Sequence, residues 1–320
     1  MNLAGLRRSG LTPAVWLLPL LMAAGCGSGQ PFNPERSLRL ALEASGLPDA
    51  ASAEYRIFLQ DSIGIAHGDV THGETDTVRI SSSDRLKVQW QDAPATISDA
   101  NYVFAPSQRE SLIEAGDEDT TVSAIGEYAL ASGGFVLTTP GIPAEATGFW
   151  RAVGEDSSVL AVGALKAGVP VRRGDLPPGT LRLQLDTAVI ELDGVRHGYA
   201  PAKQEIPLNI TATVDLIPID APYALSTAVL QLNPSGLPPG AGAPWGLNID
   251  NGTSYGGFAA ADSATTLDLV APGNYTLEWG EITVDGVTYL PDPAIQQVTL
   301  TPQIEAFEFG VTYTASLINR

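Results

Sequence analysis

Ile282-Thr283-Val284-Asp285-Gly286-Val287-Thr288-Tyr289 sets branched and polar residues in alternation on either side of an Asp-Gly pair. Such a stretch folds as two antiparallel strands, because a two-residue hairpin turn needs positive φ at both central positions and Asp-Gly accepts it. The alternation extends outward. Upstream come Leu230 and Leu232, then Trp245, Leu247 and Ile249, then Leu267 and Leu269, then Tyr275, Leu277 and Trp279. Downstream are Ile295 to Leu300, then Phe307, Phe309, Val311 and Tyr313. A period of two carried by Val, Thr and aromatics marks strands with one buried face. Roughly seven short strands separated by turn signals predict a β-sandwich.

The same pattern occurs three times. Gly46-Leu47-Pro48, Gly141-Ile142-Pro143 and Gly236-Leu237-Pro238 stand 95 and 95 residues apart. Phe104-Ala105-Pro106, Tyr199-Ala200-Pro201 and Tyr289-Leu290-Pro291 are separated by 95 and 90, as are Tyr128, Tyr223 and Tyr313. Three landmarks keeping one period predict three tandem copies, at 34–131, 132–225 and 226–316. Earlier copies repeat the strand language, with Leu86, Val88 and Trp90 in the first and Leu181, Leu183 and Leu185 before Leu192-Asp193-Gly194-Val195 in the second. The expected fold is all-β: three tandem Ig-like β-sandwiches after a signal peptide. The joints, Ala131-Ser132-Gly133-Gly134 and Leu225-Ser226-Thr227, are short, so neighbouring modules should be close but able to hinge.

The 320 residues hold 17 Lys and Arg against 36 Asp and Glu. Residues 1–25 contain Arg7 and Arg8 and no acid, so the remainder carries 15 basic and 36 acidic groups, a net of −21. That balance argues against a nucleic-acid binder, which needs clustered Lys and Arg to neutralise phosphate. The third copy has 9 acidic groups against Arg320 alone, a surface that repels anionic lipid. A single Cys allows neither a disulfide framework nor a cysteine-built metal site.

Residues 1–25 have the regions of an export signal: Arg7 and Arg8, an apolar run from Leu11 to Ala24, and small residues before Cys26. The run, with Pro13 and Pro19 inside it, is shorter than the roughly 20 residues a permanent span requires. Leu21-Met22-Ala23-Ala24-Gly25-Cys26 resembles the bacterial lipobox, with Ala23 where Leu is commonest. The resemblance implies cleavage before Cys26, a diacylglycerol on its thiol and an acyl chain on the freed amine. Since each buried methylene contributes about 0.8 kcal/mol, several chains hold a protein on its membrane where one would not. Residues 26–33 then form a tether, and Gly27 in place of Asp implies, by the enterobacterial sorting rule, the outer membrane.

Leu176-Pro177-Pro178-Gly179-Thr180-Leu181-Arg182-Leu183 and Val270-Ala271-Pro272-Gly273-Asn274-Tyr275-Thr276-Leu277 resemble the L-x-P-G-x-Y-x-V segment of prealbumin-like modules, among them the carboxypeptidase regulatory-like and Cna-B-type sandwiches. The Pro-Gly turn ends one strand and launches a central one. The likeness implies fold rather than activity. Some Cna-B modules crosslink a first-strand Lys to a late Asn. The lysines here are Lys87, Lys166 and Lys203, none on a first strand, so no such bond is expected.

Little in the chain suits catalysis. His67 and His72, in His67-Gly68-Asp69-Val70-Thr71-His72, match no metal-site spacing, and Gly68 reads as a turn in an exposed loop. His197 stands apart, and no Gly-x-Ser-x-Gly elbow is present. Asp61, Asp156 and Asp250 fall at one position of each copy, 95 and 94 apart. Calcium would need six to eight oxygens there. The simpler reading is an Asp capping a hairpin turn through the local backbone. Gly116-Asp117-Glu118-Asp119 reads as a solvated tip. Trp90 and Trp279 fall on central strands, whereas Trp150 and Trp245, at equivalent places, would be either core or a stacking platform for sugar rings. The expectation is a non-catalytic, lipid-anchored envelope protein without cofactor, serving as a binding, adhesion or scaffolding array with an envelope protein or glycan as partner. The alternative is a glycan- or calcium-binding accessory module of an envelope enzyme or transporter, using those tryptophans or aspartates.

Overall fold

The computed structural model describes residues 38–49, 51–59, 62–80, 85–114, 121–249, 254–261 and 263–316. The leader, Cys26, the tether, Asp61, Asp250 and the 116–119 acidic run lie outside them. Every element is a strand, and no helix occurs among the described residues.

The first nine are β1 (Leu38–Ser45), β2 (Ser52–Leu59), β3 (Ile63–Thr71), β4 (Thr75–Ile80), β5 (Leu86–Trp90), β6 (Ala93–Ile97), β7 (Ala100–Pro106), β8 (Glu110–Ile113) and β9 (Thr121–Leu130). They form two sheets, ordered β4-β1-β9-β7-β6 and β3-β2-β5-β8. Next come β10 (Gly133–Thr138), β11 (Gly148–Gly154), β12 (Val159–Leu165), β13 (Val171–Leu176), β14 (Gly179–Leu185), β15 (Ala188–Leu192), β16 (Val195–Pro201), β17 (Glu205–Ile210), β18 (Ile217–Asp220) and β19 (Tyr223–Leu225). Here β12-β11-β14-β17 faces β13-β10-β18 and β15-β16-β19. β18 and β19 stand where β9 runs unbroken in the first set, divided by Pro222, which has no N–H for the ladder. The last are β20 (Ala228–Ser235), β21 (Gly242–Ile249), β22 (Ser254–Ala260), β23 (Thr265–Val270), β24 (Gly273–Trp279), β25 (Ile282–Val284), β26 (Val287–Asp292), β27 (Ile295–Leu300) and β28 (Ala306–Ser316). They make β23-β20-β28-β26-β25 and β22-β21-β24-β27.

Each pair of sheets encloses its own cluster of buried side chains. Alternation explains which residues enter: Leu86, Val88 and Trp90 of β5 point inward while Lys87 and Gln89 face out. Leu181, Leu183 and Leu185 of β14 and Tyr275, Leu277 and Trp279 of β24 do the same. Burial of each such side chain contributes about 1.5–3 kcal/mol. The two Pro-Gly segments run from an edge strand of one sheet, β13 or β23, into an interior strand of the other, β14 or β24, as the prealbumin-like segment implies. The Asp285-Gly286 hairpin joins β25 to β26, with φ of 50° and 82°. In every sandwich the entering strand pairs parallel with the leaving one: β1 with β9, β10 with β18 and β20 with β28.

Candidate functional site

The repeated landmarks of the sequence converge on one corner of each sandwich. Pro106, Pro201 and Pro291 are the register partners of Tyr128, Tyr223 and Tyr313. Gly46, Gly141 and Gly236 have φ of 79°, 86° and 78°, and a Cβ on each would stand 2.1, 2.1 and 2.3 Å from the carbonyl oxygen of that same tyrosine. The phenol hydroxyls donate to half-buried carbonyls: Tyr128 to Gln91 at 2.9 Å, Tyr223 to Asp186 at 3.0 Å and Tyr313 to Gly280 at 2.9 Å. Burial pushes all three phenols up to about 12. The chemistry shared most closely by the copies therefore closes corners.

A second repeated set was not read from the sequence. Tyr55, Trp150 and Trp245 of the second-strand position lie opposite Gly68, Gly163 and Gly257 of the neighbouring edge strand. A Cβ on Gly68 would meet the Tyr55 hydroxyl at 2.6 Å, and one on Gly163 the Trp150 indole nitrogen at 2.6 Å. An aromatic ring covers each strand glycine. Gly68 is thus in the middle of β3 rather than in a turn, because its missing side chain admits the Tyr55 ring. His67 projects exposed from that strand, and exposed His72 follows in the turn after it.

Trp150 is 3% exposed and meets Phe135 edge-on, with centroids 5.4 Å apart, leaving no ring face for a ligand. Trp245 is half-buried against the third core, and its indole nitrogen is enclosed without a partner. Asp156 is exposed at the β11–β12 turn. Its carboxylate accepts from the Ser158 hydroxyl at 2.6 Å and the Ser158 N–H at 2.9 Å, and these bonds hold it below the usual carboxylate range. That is the local turn cap. Among the described residues no group of three or more His, Cys, Asp or Glu is placed to hold a metal.

Among the described residues three clefts open on the second sandwich, one of them along Arg151, Gln184, Asp186 and Glu205. Another, of about 270 Å³, is lined by Thr138, Thr139, Pro140, Val169, Pro170 and Asp220. Asp220 accepts a 2.9 Å bond from Thr138 there. The third, of about 340 Å³ between β17 and β18, is lined mainly by Ile206, Leu208, Ile217 and Ile219. No histidine lines these three, whereas a wider cleft of about 610 Å³ on the first sandwich is lined by Glu54, Arg56, Phe58 and His67, with Arg56 donating to Glu54 at 2.9 Å.

The joints between sandwiches are stitched. The Val103 N–H donates to Ser132 Oγ at 2.8 Å and its carbonyl accepts from Ala131 N at 2.9 Å. Ninety-five residues on, the Gly198 N–H donates to Thr227 Oγ1 at 2.8 Å and its carbonyl accepts from Ser226 N at 2.8 Å. At the first joint the Tyr102 hydroxyl also donates to Val214 O at 2.8 Å, and its ring fills the space left by Gly174. At the second joint buried His197 takes the position of Tyr102, its Nδ1 unpartnered. Arg196 there forks onto Asp268 at 2.7 and 3.0 Å. These contacts oppose the free hinging that linker length alone suggests.

Fold and joints define a class of protein: tandem all-β sandwiches of the Ig-like kind. No protein-family model matches the chain, and no curated protein sequence does. Among solved structures, the chain is similar to the Bacillus anthracis TIE protein at 13% identity and a TM-score of 0.28, over 87% of this chain and 50% of that one. It thus spans half the length of that protein. It is also similar to a streptococcal ancillary pilin, at 12% identity and a TM-score of 0.37 over 87% and 99%. The shaft pilin SpaA of Lactobacillus rhamnosus GG gives 8% and 0.37 over 60% and 98%. Those scores are too low to bear on what this chain binds.

Proposed function

We propose that this chain is a non-catalytic envelope lipoprotein, anchored through acylated Cys26, that serves as a binding, adhesion or scaffolding array of three modules, 34–131, 132–225 and 226–316. The observation that carries the reading is the joint. The same pair of hydrogen bonds, one between main-chain groups and one onto a Ser or Thr hydroxyl, recurs 95 residues apart at Val103 and Gly198 and closes both connections, which is what a device for holding modules at fixed spacing needs. The polar groups that recur in the copies are used in corners and joints rather than gathered in a cleft, and a cleft is where catalysis would need them. The chain's signal, tether and Gly27 fit display from the outer membrane, and its acidity fits standing away from an anionic surface. The glycan- or calcium-binding alternative draws nothing from Trp150, which faces the core, or from Asp156, which is bound by Ser158.

The anchor is tested by growing a bacterial host that expresses the full chain with labelled palmitate. Label should enter the wild-type chain and be lost in Cys26→Ser, with a shift from the membrane to the soluble fraction or accumulation of the uncleaved form. Equal labelling and equal partitioning of the two would overturn the anchored reading.

A further inference from the structure

The edge strands of these sheets are unequally protected. An open edge offers unpaired N–H and C=O groups to any passing strand, and proteins blunt it with charge, proline or brevity. Most edges here follow that rule: Asp76 and Arg79 on β4, Asp69 on β3, Pro94 on β6, Pro207 on β17, Asp268 on β23. β22 and β27 are uncharged, but β22 is interrupted by adjacent Gly256 and Gly257 and β27 sets Gln296, Gln297 and Thr299 among its apolar residues. β12 has neither charge nor proline, and its one irregularity is a bulge at Leu160, where Ala152 pairs with Ala161 and Val153 with Val159. It reads Val159-Leu160-Ala161-Val162-Gly163-Ala164-Leu165, seven apolar residues at the edge of β12-β11-β14-β17. Val162 is 64% exposed and Val159 57%, and Phe149, one strand in, is 59% exposed. On the same face Arg151, the register partner of Val162, is paired to Asp186, and farther across Arg182 lies beside Glu205. The apolar stripe thus follows the open edge, where a strand added to β12 would cover it.

The flanks of β12 indicate which strand. Glu155 and Asp156 occupy the turn before it and exposed Lys166 follows directly after it. An antiparallel copy of β12 centred on Val162 pairs Leu160 with Ala164, Val162 with itself, and Ser158 with Lys166. Each Lys166 then lies beside the other copy's acidic turn, twice over by symmetry. Parallel pairing would instead set Lys166 against Lys166 and acid against acid. In a chain of net charge −19, this edge is where a second copy can approach without repulsion.

We propose that β12 is a self-association edge: two copies pair β12 antiparallel about a two-fold axis through Val162, joining their four-stranded sheets into one. The inference goes beyond the array reading and does not depend on the lipid anchor. One strand pair gives an interface near the low end of specific ones, about 1,000 Å², so the dimer is weak, with a dissociation constant on the order of 10–100 μM.

The test is sedimentation of the purified full chain in nonionic detergent across a concentration series. Wild type should show a reversible dimer. Val162→Lys should abolish it, and Lys166→Glu should weaken it about tenfold, with unchanged far-UV spectra. Glu155→Lys combined with Lys166→Glu should restore it, which neither misfolding nor an unrelated contact would produce. In a Cys26→Ser background, Val162→Cys should give a disulfide-linked dimer on mild oxidation, since directly opposed strand residues are within disulfide reach. A chain that is monomeric at about 100 μM, or a dimer indifferent to Val162→Lys and to the charge exchange, would overturn the proposal. So would a β12 edge that takes up an unrelated extended peptide while remaining monomeric.

Discussion

Tyr128, Tyr223 and Tyr313 show how much one side chain can do for a sandwich. Each fills the core with its ring, holds a carbonyl with its hydroxyl, and presents a backbone oxygen that only a glycine can approach. Such a position excludes nearly every other residue type, which is why the Gly-x-Pro and Tyr landmarks were legible in the sequence as a period. What the period could not say was that they touch, because spacing along a chain does not reveal which strands pair. The phenols carry a pH consequence. With the folded value near 12 and the ordinary value at 10.0, the folded chain retains a proton that the unfolded chain has lost between those limits. Stability is therefore full below pH 10 and falls as pH rises toward 12. Thermal melts between pH 8 and pH 12 should show this alkaline loss, and Tyr223→Phe should reduce it. The same change should cost about 1 kcal/mol at neutral pH by urea unfolding, through the lost bond to Asp186. An alkaline loss unchanged in Tyr223→Phe and its two counterparts would refute the assignment.

At the scale of strands, alternation was enough to find the sheets, and the Asp-Gly and Pro-Gly pairs found several of their turns. Gly68 misled because a glycine among polar residues usually marks a turn, whereas here it leaves room for a ring from the next strand. The same position differs between copies in a way that can be measured. A Cβ on Gly163 falls 2.6 Å from the Trp150 indole, but one on Gly257 finds its nearest neighbour, Trp245, at 3.6 Å. Gly163→Ala should cost about 1–3 kcal/mol by displacing a buried tryptophan, with a shift in Trp emission. Gly257→Ala should change stability by no more than about 0.5 kcal/mol. Equal costs at the two sites would mean that the ring-over-glycine contact does not restrain the edge strands. The open edge of β12 was visible in the sequence only as an apolar run. Its exposure depends on which strand lies outermost, and local pattern does not encode that.

Over the whole chain, the sequence reveals where one sandwich gives way to the next but not how firmly they are joined, since Ser132 and Thr227 look like ordinary linker residues. The two joints should respond differently to salt. The first is closed by neutral groups, Tyr102 on Val214. The second adds the Arg196–Asp268 pair, whose side chains are 55% and 25% exposed, so that its contribution is small and is screened by ions. Energy transfer between probes flanking each joint should broaden at the second joint in about 1 M salt and in Arg196→Gln, with the first unchanged. Equal broadening at both would remove the ion pair from the account. The parallel contact between each sandwich's first and last strands has a mechanical meaning. A pull along the chain drags β1 past β9 in shear, so the seven paired positions from Arg39 to Ser45 resist together instead of unzipping singly. The seven from Val229 to Ser235 do the same. The middle sandwich has four register-paired positions, from Phe135 to Thr138, and the contact continues with the Ala221 N–H on Thr138 O at 2.9 Å and the Tyr223 N–H on Pro140 O at 2.8 Å, although Pro140 and Pro222 themselves donate nothing there. A molecule held at one end and loaded at the other is therefore gripped in shear at every sandwich, with the fewest donors at its centre.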